Sequence, residues 1–286
     1  MNQTPIGLDL LKSGKYFHSR PLPESNDWSD YWKPKPDPDG KVRDRSKERD
    51  LYLRQVADEV ALVQLHFADA NRFGVFVDVG CGAGWFMRIV PDTVDRFGID
   101  PGLPRSEFER QAVMPKGGHG NYHLQRMTLN QAYREYKIPT ANVDLIRAHH
   151  VIEHIPDPIE AIKQMHAMLK PGGWLLISTP DFDSQAARRF GERYRMLHDP
   201  THCSLFSYES FLRFLRDHGF KVARVEFPFW EVDEWVGWST PDKEEWVPCE
   251  DFNPWSAMTC DKKQQDRVGI SPPFPGSWMI CYCRKE

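Results

Sequence analysis

The sequence predicts an α/β protein built on a doubly wound, mostly parallel sheet of seven strands. Three observations carry this. The apolar run Val75-Phe76-Val77-Asp78-Val79 breaks into Gly80-Cys81-Gly82-Ala83-Gly84. A second run, Phe97-Gly98-Ile99-Asp100, ends in a carboxylate. Further strand-like segments recur near 122–128, 143–149, 173–179, 221–227 and 277–284, with helical patterns between most of them. Such alternation argues parallel strands covered on both faces.

Each element has a local reason. Residues 1–45 are rich in Pro, Asp and aromatics and lack sustained periodicity, which predicts an extended N-terminal arm packing through Trp28, Tyr31 and Trp32. From Ser46 to about Phe67, the apolar positions Leu51, Leu53, Val56, Val60, Leu62, Val63 and Leu65 predict one long helix leading into the sheet. The glycines after Val79 predict a sharp turn into a further helix. After the fourth strand, Asp157 is an N-cap, Pro158 suits the first helical position and Glu160 falls three residues after the cap. Ile159, Ile162, Met165 and Leu169 share one face of that helix, His166 reads as structural, and Pro171-Gly172-Gly173 stops it. Ser207 caps a later helix with Glu209 in its first turn, its apolar positions being Phe211, Leu212, Phe214 and Leu215, and His218-Gly219 ends it. The span 228–275 is far longer than a plain connection and carries Trp230, Trp235, Trp238, Trp246, Phe252, Trp255 and Phe274. It is expected to be a lid whose rings mostly pack its own small core, leaving one or two for substrate. The organisation expected is an arm (1–45), a main domain (46–227), the lid (228–275) and a final strand (276–286) returning to the main domain.

Composition narrows the function. The 286 residues suffice for a sizeable core, and a net charge of -4 predicts no general affinity for phosphate backbones. The cluster Lys41-Val42-Arg43-Asp44-Arg45-Ser46-Lys47-Glu48-Arg49 interleaves both signs and reads as a solvated helix approach. No apolar run reaches the length of a membrane span, and Met1-Asn2-Gln3-Thr4-Pro5 is not a signal peptide, so a cytoplasmic location is expected. Six scattered cysteines, one inside the glycine loop, suit reduced thiols.

The glycine spacing selects the ligand class. A strand, a glycine turn and a second strand ending in a carboxylate hold an adenosine-bearing cofactor in doubly wound sheets. A dinucleotide fingerprint needs a third glycine where Trp85 stands; the spacing here is Gly80-x-Gly82-x-Gly84, which allows close approach of a smaller group such as an amino-acid moiety. This pattern resembles the first motif of class I S-adenosylmethionine-dependent methyltransferases, which have a Rossmann-like fold. Val143-Asp144-Leu145-Ile146-Arg147-Ala148-His149-His150-Val151-Ile152-Glu153-His154 is similar to the fourth strand and its exit in that family, and Leu169-Lys170-Pro171-Gly172-Gly173-Trp174-Leu175-Leu176-Ile177 to the fifth. The resemblance covers roughly residues 50–225 and the last ten, and it implies that the terminal strand lies antiparallel between its neighbours.

What the resemblance implies can be stated residue by residue. Gly80, Cys81, Gly82 and Gly84 would pass under the methionine portion of S-adenosyl-L-methionine, Asp78 would help hold its amino group, and Asp100 would accept from both ribose hydroxyls. The third strand departs from the family pattern: where many members place Asp against the adenine, this chain has Thr128-Leu129-Asn130, and Thr128 or Asn130 could supply that contact. His149 matches a position lying over the cofactor.

Methyl transfer requires an acceptor in line with the sulfonium methyl and removal of a proton if that acceptor is a hydroxyl. His150-Val151-Ile152-Glu153-His154, with His198-Asp199-Pro200-Thr201-His202 later, concentrates the chain's candidate chemistry. Three readings stand. Glu153 and His154 close a loop; or His154, His150, His202 or His198 is a base; or His150, Glu153 and His154 hold a divalent metal. The last resembles the Glu-x-x-Glu-His of ubiquinone-pathway O-methyltransferases and small-RNA 2′-O-methyltransferases, with histidine replacing the first glutamate and shifting preference toward softer ions. Met196–Ser207 resembles the Asp-Pro-Thr-His loop that crosses the active site in small-molecule methyltransferases.

The aromatic lid and the lack of a basic face favour a small-molecule or glycan-linked hydroxyl: a sugar, a nucleotide-sugar or a phenol. A metal-assisted RNA 2′-O-methyltransferase, a small-molecule N- or C-methyltransferase, and a non-catalytic interaction module remain alternatives. Ser271-Pro272-Pro273-Phe274 fits a DNA amino-methyltransferase signature but stands far from the exit of the fourth strand where that motif works, so DNA is excluded as an acceptor.

Overall fold

A computed structural model of the protein describes residues 12–23, 28–36, 42–68, 74–104, 120–135, 137–184, 187–188, 191–227 and 278–286. Its sheet has seven strands: β1 (Val75–Val79), β2 (Asp95–Ile99), β3 (Tyr122–Gln125), β4 (Val143–His149), β5 (Leu169–Pro180), β6 (Phe220–Glu226) and β7 (Trp278–Lys285). Their spatial order is β6-β7-β5-β4-β1-β2-β3. The pairs β1–β2, β1–β4, β2–β3 and β4–β5 are parallel, while β7 runs antiparallel between β5 and β6. The strand order reverses between β4 and β1, and their carboxyl ends open the crevice in which sheets of this kind place a ligand.

Alternation along the strands builds two cores. Val75, Val77 and Val79 share one layer with Ile146, Ala148, Leu175 and Ile177, under helices α4 (Pro158–Met168) and α5 (Tyr208–Asp217), which bury Ile162, Met165, Phe211, Phe214 and Leu215. Phe76, Leu145, Leu176 and Ile280 face the other layer, with Val56, Val63, Phe86 and Met87. Each such side chain contributes roughly 1.5–3 kcal/mol on burial. The caps predicted for α4 and α5 are present: Asp157 accepts from the Glu160 amide, and Ser207 forms a reciprocal cap with Ser210.

Four local expectations differ from the structure. The helix expected from 46 to 67 is two, α1 (Arg49–Gln55) and α2 (Ala57–His66), broken at Val56, whose φ of -107° and ψ of 21° leave the helical region. Val56 is buried in the second core, so tertiary packing decides the break where periodicity saw one pattern. The glycine turn leads into only a 3-10 turn, Phe86–Arg88, before Pro91, instead of a full helix. β3 ends at Gln125, because Thr128 is already the N-cap of α3 (Leu129–Arg134). β5 begins at Leu169, and Lys170–Gly173 form an irregularity where register jumps from Val143↔Leu169 to Leu145↔Trp174, with Gly172 at φ 71°.

The arm adds a strand, Phe17–Ser19, that pairs antiparallel with Ser204–Phe206, and a 3-10 turn, Trp28–Trp32. The span 228–275 expected to form a lid, with its tryptophans and the Ser271–Phe274 motif, lies outside the described residues. Among the described residues no helix is long and apolar enough to cross a membrane. Cys81, Cys203, Cys281 and Cys283 are free thiols.

Candidate active site

The β1 side of the crevice is made of backbone. Gly80, Gly82 and Gly84 all have positive φ, at 70°, 56° and 72°. At Gly80 the demand is doubled, since a Cβ would run into a methyl of Val151 at the exit of β4. Asp100, at the end of β2, accepts from the Gly82 amide at 2.9 Å and the Gly102 amide at 2.6 Å, which ties the carboxylate to the glycine loop. Burial raises its pKa, and those two amides offset part of the rise. Two residues of the arm reach this place. A Cβ on Gly82 would lie 3.1 Å from the Trp32 ring, and Trp28 meets His154 edge to face at 5.9 Å.

Beneath the loop lies a charged chain that sequence reasoning missed. Arg147, in the middle of β4, is 1 % exposed and stacks its guanidinium 3.9 Å from the Phe86 ring centroid. Its Nε donates to Glu59 Oε2 at 2.5 Å and its Nη1 to Asp78 Oδ1 at 3.2 Å. Glu59, on α2, reaches on through Oε1 to His149 Nδ1 at 2.8 Å. Two carboxylates thus share one guanidinium unequally. Burial pushes Glu59 up, but Arg147 and His149 outweigh it and hold the carboxyl at about 2. At Asp78 burial prevails over its longer bond to Arg147, and the pKa rises to about 6. Asp78 Oδ2 is buried with no hydrogen-bond partner among the described residues. The signal available in the sequence was Arg147 itself, a cation set between the apolar Leu145, Ile146 and Ala148 of a buried strand; nothing local pointed to Glu59.

The other side of the crevice begins where β4 ends. His150 takes φ 51°, an uncommon backbone for a residue with a Cβ, and its ring lies 4.2 Å from that of Trp278. Its Nδ1 is 3.0 Å from Glu153 Oε1. Glu153 is fully buried; burial raises its pKa, but the His150 hydrogen bond and neighbouring imidazoles outweigh this and bring it to about 2, and its Oε2 has no partner among the described residues. The rings of His154 and His202 stand 4.7 Å apart. Both tie Nδ1 elsewhere: His154 lies 2.9 Å from Thr201 Oγ1 and 3.2 Å from the Thr201 carbonyl, and His202 donates to the Met196 carbonyl at 2.7 Å. Burial, then His202, lower the pKa of His154.

The structure therefore regroups the predicted residues. Glu153, His154 and His202 offer ligand atoms all within 4.8 Å of one another. His150 instead lends Nδ1 to Glu153, and His198 gives Nε2 to the Glu192 carbonyl. The donor set of two imidazoles and one carboxylate fits a divalent transition ion, because each imidazole has its Nδ1 occupied by an oxygen outside the group. Thr128, offered as an adenine contact, uses its hydroxyl and amide in a reciprocal cap with Gln131, and Leu129 beside it is buried.

The sheet order, the glycine loop and the carboxylate at the end of β2 define a class I S-adenosylmethionine-dependent methyltransferase fold. A family model described as a methyltransferase domain matches residues 49–225, more than half of the chain, and the chain belongs to that family. Among curated proteins, the ubiquinone biosynthesis O-methyltransferase of Methylococcus capsulatus is 27% identical over 203 residues, covering 66% of this chain and 77% of the relative. The protein of the same name from Nitrosospira multiformis is 26% identical over 104 residues, or 36% of this chain and 41% of the relative. The chain spans about half or less of the length of several such relatives, between 40% and 50%. Among solved structures, a methyltransferase of Haloferax volcanii in complex with the Trm112 methyltransferase activator aligns with a TM-score of 0.54 and 16% identity, over 92% of this chain and 99% of that one. A SAM-dependent methyltransferase of Archaeoglobus fulgidus aligns at 0.52 and 15%, over 83% and 94%. At these identities the structures speak for the fold alone.

Proposed function

We propose that this chain transfers the methyl group of S-adenosylmethionine to a hydroxyl of a small-molecule or glycan-linked acceptor, with a histidine at the exit of β4 taking the proton. The carrying observation is the convergence of Asp100, the glycine loop and several imidazoles on the one crevice where the strand order reverses. S-adenosylmethionine supplies an already electrophilic methyl group, so the protein's work is to position, to exclude water and to move one proton.

Each residue has a physical task in that reading. Asp100 spends one lone pair per oxygen on the Gly82 and Gly102 amides and keeps others for two adjacent ribose hydroxyls. Asp78 Oδ2, buried and unpartnered among the described residues, suits the ammonium of the amino-acid moiety. Gly80, Cys81, Gly82 and Gly84 let that moiety approach the backbone. Leu129, whose side chain is buried in the core, would meet the adenine through its main chain; Thr128 can offer only what its cap leaves over. The similarity to ubiquinone biosynthesis O-methyltransferases supports oxygen as the accepting atom.

A second reading rests on Glu153, His154 and His202. A divalent ion held by these three would grip an acceptor oxygen and lower the pKa of its hydroxyl. Chelation followed by graded return of zinc or manganese tests it: metal-dependent turnover with one ion retained per chain supports the ion, and full activity in metal-free protein removes it.

The first experiment is calorimetric titration of S-adenosylhomocysteine into the full chain, beside Asp100→Ala. Loss of two hydrogen bonds to a carboxylate is worth roughly 3 kcal/mol, so the variant is expected to bind about 100-fold more weakly. An acceptor screen of sugars, nucleotide-sugars and phenols comes next. Salt-sensitive RNA binding would move the assignment to RNA, and a folded wild type that never binds the nucleoside would leave an interaction module.

A further inference from the structure

The proposed reaction needs one imidazole to accept the hydroxyl proton, and the choice among the imidazoles rests on that reading of the site. We infer that the acceptor of this proton is His149, held in a single tautomer by Glu59, so that the two form a dyad in which Glu59 is a positioning residue.

His149 is the last residue of β4, at the point where the sheet order reverses, and it pairs in register with Ser178 of β5. Glu59 arrives from α2, and its Oε1 lies 2.8 Å from His149 Nδ1. The other carboxylate oxygen is locked on Arg147, and the side chain is 1 % exposed. A carboxylate so held can only accept, so Nδ1 must carry the hydrogen and the lone pair must sit on Nε2. The Ser178 hydroxyl, 3.2 Å from the same Nδ1, leaves that assignment unchanged, since it too can accept.

The groups around the ring fit a base beside an acceptor. Tyr52 of α1 meets it edge-on at 6.1 Å, Trp278 of β7 at 5.4 Å and His150 at 4.8 Å. Among the described residues, Glu59 of α2 and Ser178 of β5 add hydrogen-bonding groups to these rings from α1, β4 and β7. The long connection from β6 re-enters the sheet at Trp278, beside this ring. His154 is differently placed. Its Nδ1 faces the Thr201 hydroxyl, which in turn donates to Asp199, and a second imidazole, His202, stands beside it, so a carboxylate reaches an imidazolium there only through an intervening hydroxyl and not by a direct hydrogen bond. In this division of labour the His154–His202 pair grips the acceptor and His149 deprotonates it.

The step balances. The hydroxyl proton moves to His149 Nε2, its oxygen forms the new bond to the methyl carbon, and the breaking carbon–sulfur bond leaves its electron pair on sulfur, converting the sulfonium to a thioether. The resulting imidazolium lies against the Glu59 carboxylate, the orienting role that a buried carboxylate plays in hydrolase triads.

The test is long-range proton–nitrogen NMR on histidine-labelled full-length protein, with His149→Gln to assign the resonance. The dyad requires Nδ1 protonated and Nε2 bare in the wild type, and a changed tautomer in Glu59→Gln, whose amide can donate to Nδ1. An Nε2-protonated His149 in the wild type overturns it. If Glu59→Gln does not fold, the wild-type tautomer and His149→Gln decide. On any acceptor found in the screen, His149→Gln is expected to lower kcat by about 100-fold or more with KM within about threefold, whereas His154→Gln raises KM. Unchanged kcat in His149→Gln overturns the assignment while leaving methyl transfer intact. A folded wild type that fails to bind S-adenosylhomocysteine instead removes the methyl-transfer reading, and with it the catalytic role, whatever the tautomer.

Discussion

The two sides of the crevice between β1 and β4 are built in opposite ways. The β1 side is a loop of main chain: glycines at positive φ, amides given to Asp100, and a second strand supplying that carboxylate some twenty residues on. The β4 side is an assembly of imported side chains. His149 depends on Glu59 from α2, His154 on Thr201, and Glu153 on His150, while His202 comes from a loop after β5. The first kind of site fails when backbone geometry is denied. The second fails when a buried charge loses its partner.

That contrast orders the expected effects. Arg147→Ala leaves Glu59 and Asp78 as buried carboxylates without their shared cation, and is expected to cost about 3–5 kcal/mol in chemical denaturation. Gly80→Ala on the opposite side asks a Cβ to adopt φ 70° against Val151, and roughly 1–2 kcal/mol is expected from the backbone alone. A larger loss from Gly80→Ala than from Arg147→Ala would break the comparison.

Acid sharpens it, because the two carboxylates on Arg147 respond with opposite signs. Glu59, held at about 2 and thus below its ordinary 4.5, contributes stability that is present above pH 4.5 and drains away as pH falls toward 2. Asp78, raised to about 6, contributes stability present below its ordinary 3.8 and lost as pH rises through 6. An ammonium bound at Asp78 needs the ionised form. Affinity for S-adenosylhomocysteine should therefore weaken by about tenfold between pH 7 and pH 5, with proton release on binding in that window. Calorimetry in two buffers of different ionisation heat measures both; pH-independent binding would take Asp78 out of the cofactor site. The smallest effect is expected at His198, whose Nε2 bonds to the Glu192 carbonyl outside the cluster. His198→Ala should change stability by less than about 0.5 kcal/mol and leave nucleoside affinity unaltered in the same titration.

The fold and the β1 side were legible because their rules are short-range. Apolar runs bounded by turn residues located all seven strands to within a few positions, and the caps at Asp157 and Ser207 fell where predicted. Errors arose where packing overrode pattern: at Val56, which breaks a periodic helix to bury itself, and at Trp85–Pro91, where a single 3-10 turn replaces a helix. On the β4 side the residue types were visible but their grouping was not. Spacing of three and four residues joined His150 to Glu153 and His154, whereas the structure sets His202, from far along the chain, beside Glu153 and His154.

By itself the sequence determined the class of this protein, since a glycine turn after a buried strand and a carboxylate ending the next strand are demands that a few consecutive backbone angles must satisfy. Only the tertiary structure decided which charges meet. Glu59, Arg147, Asp78 and His149 are brought together from a helix and two strands, and the free energy of a buried carboxylate depends on the cation beside it rather than on its neighbours in the chain.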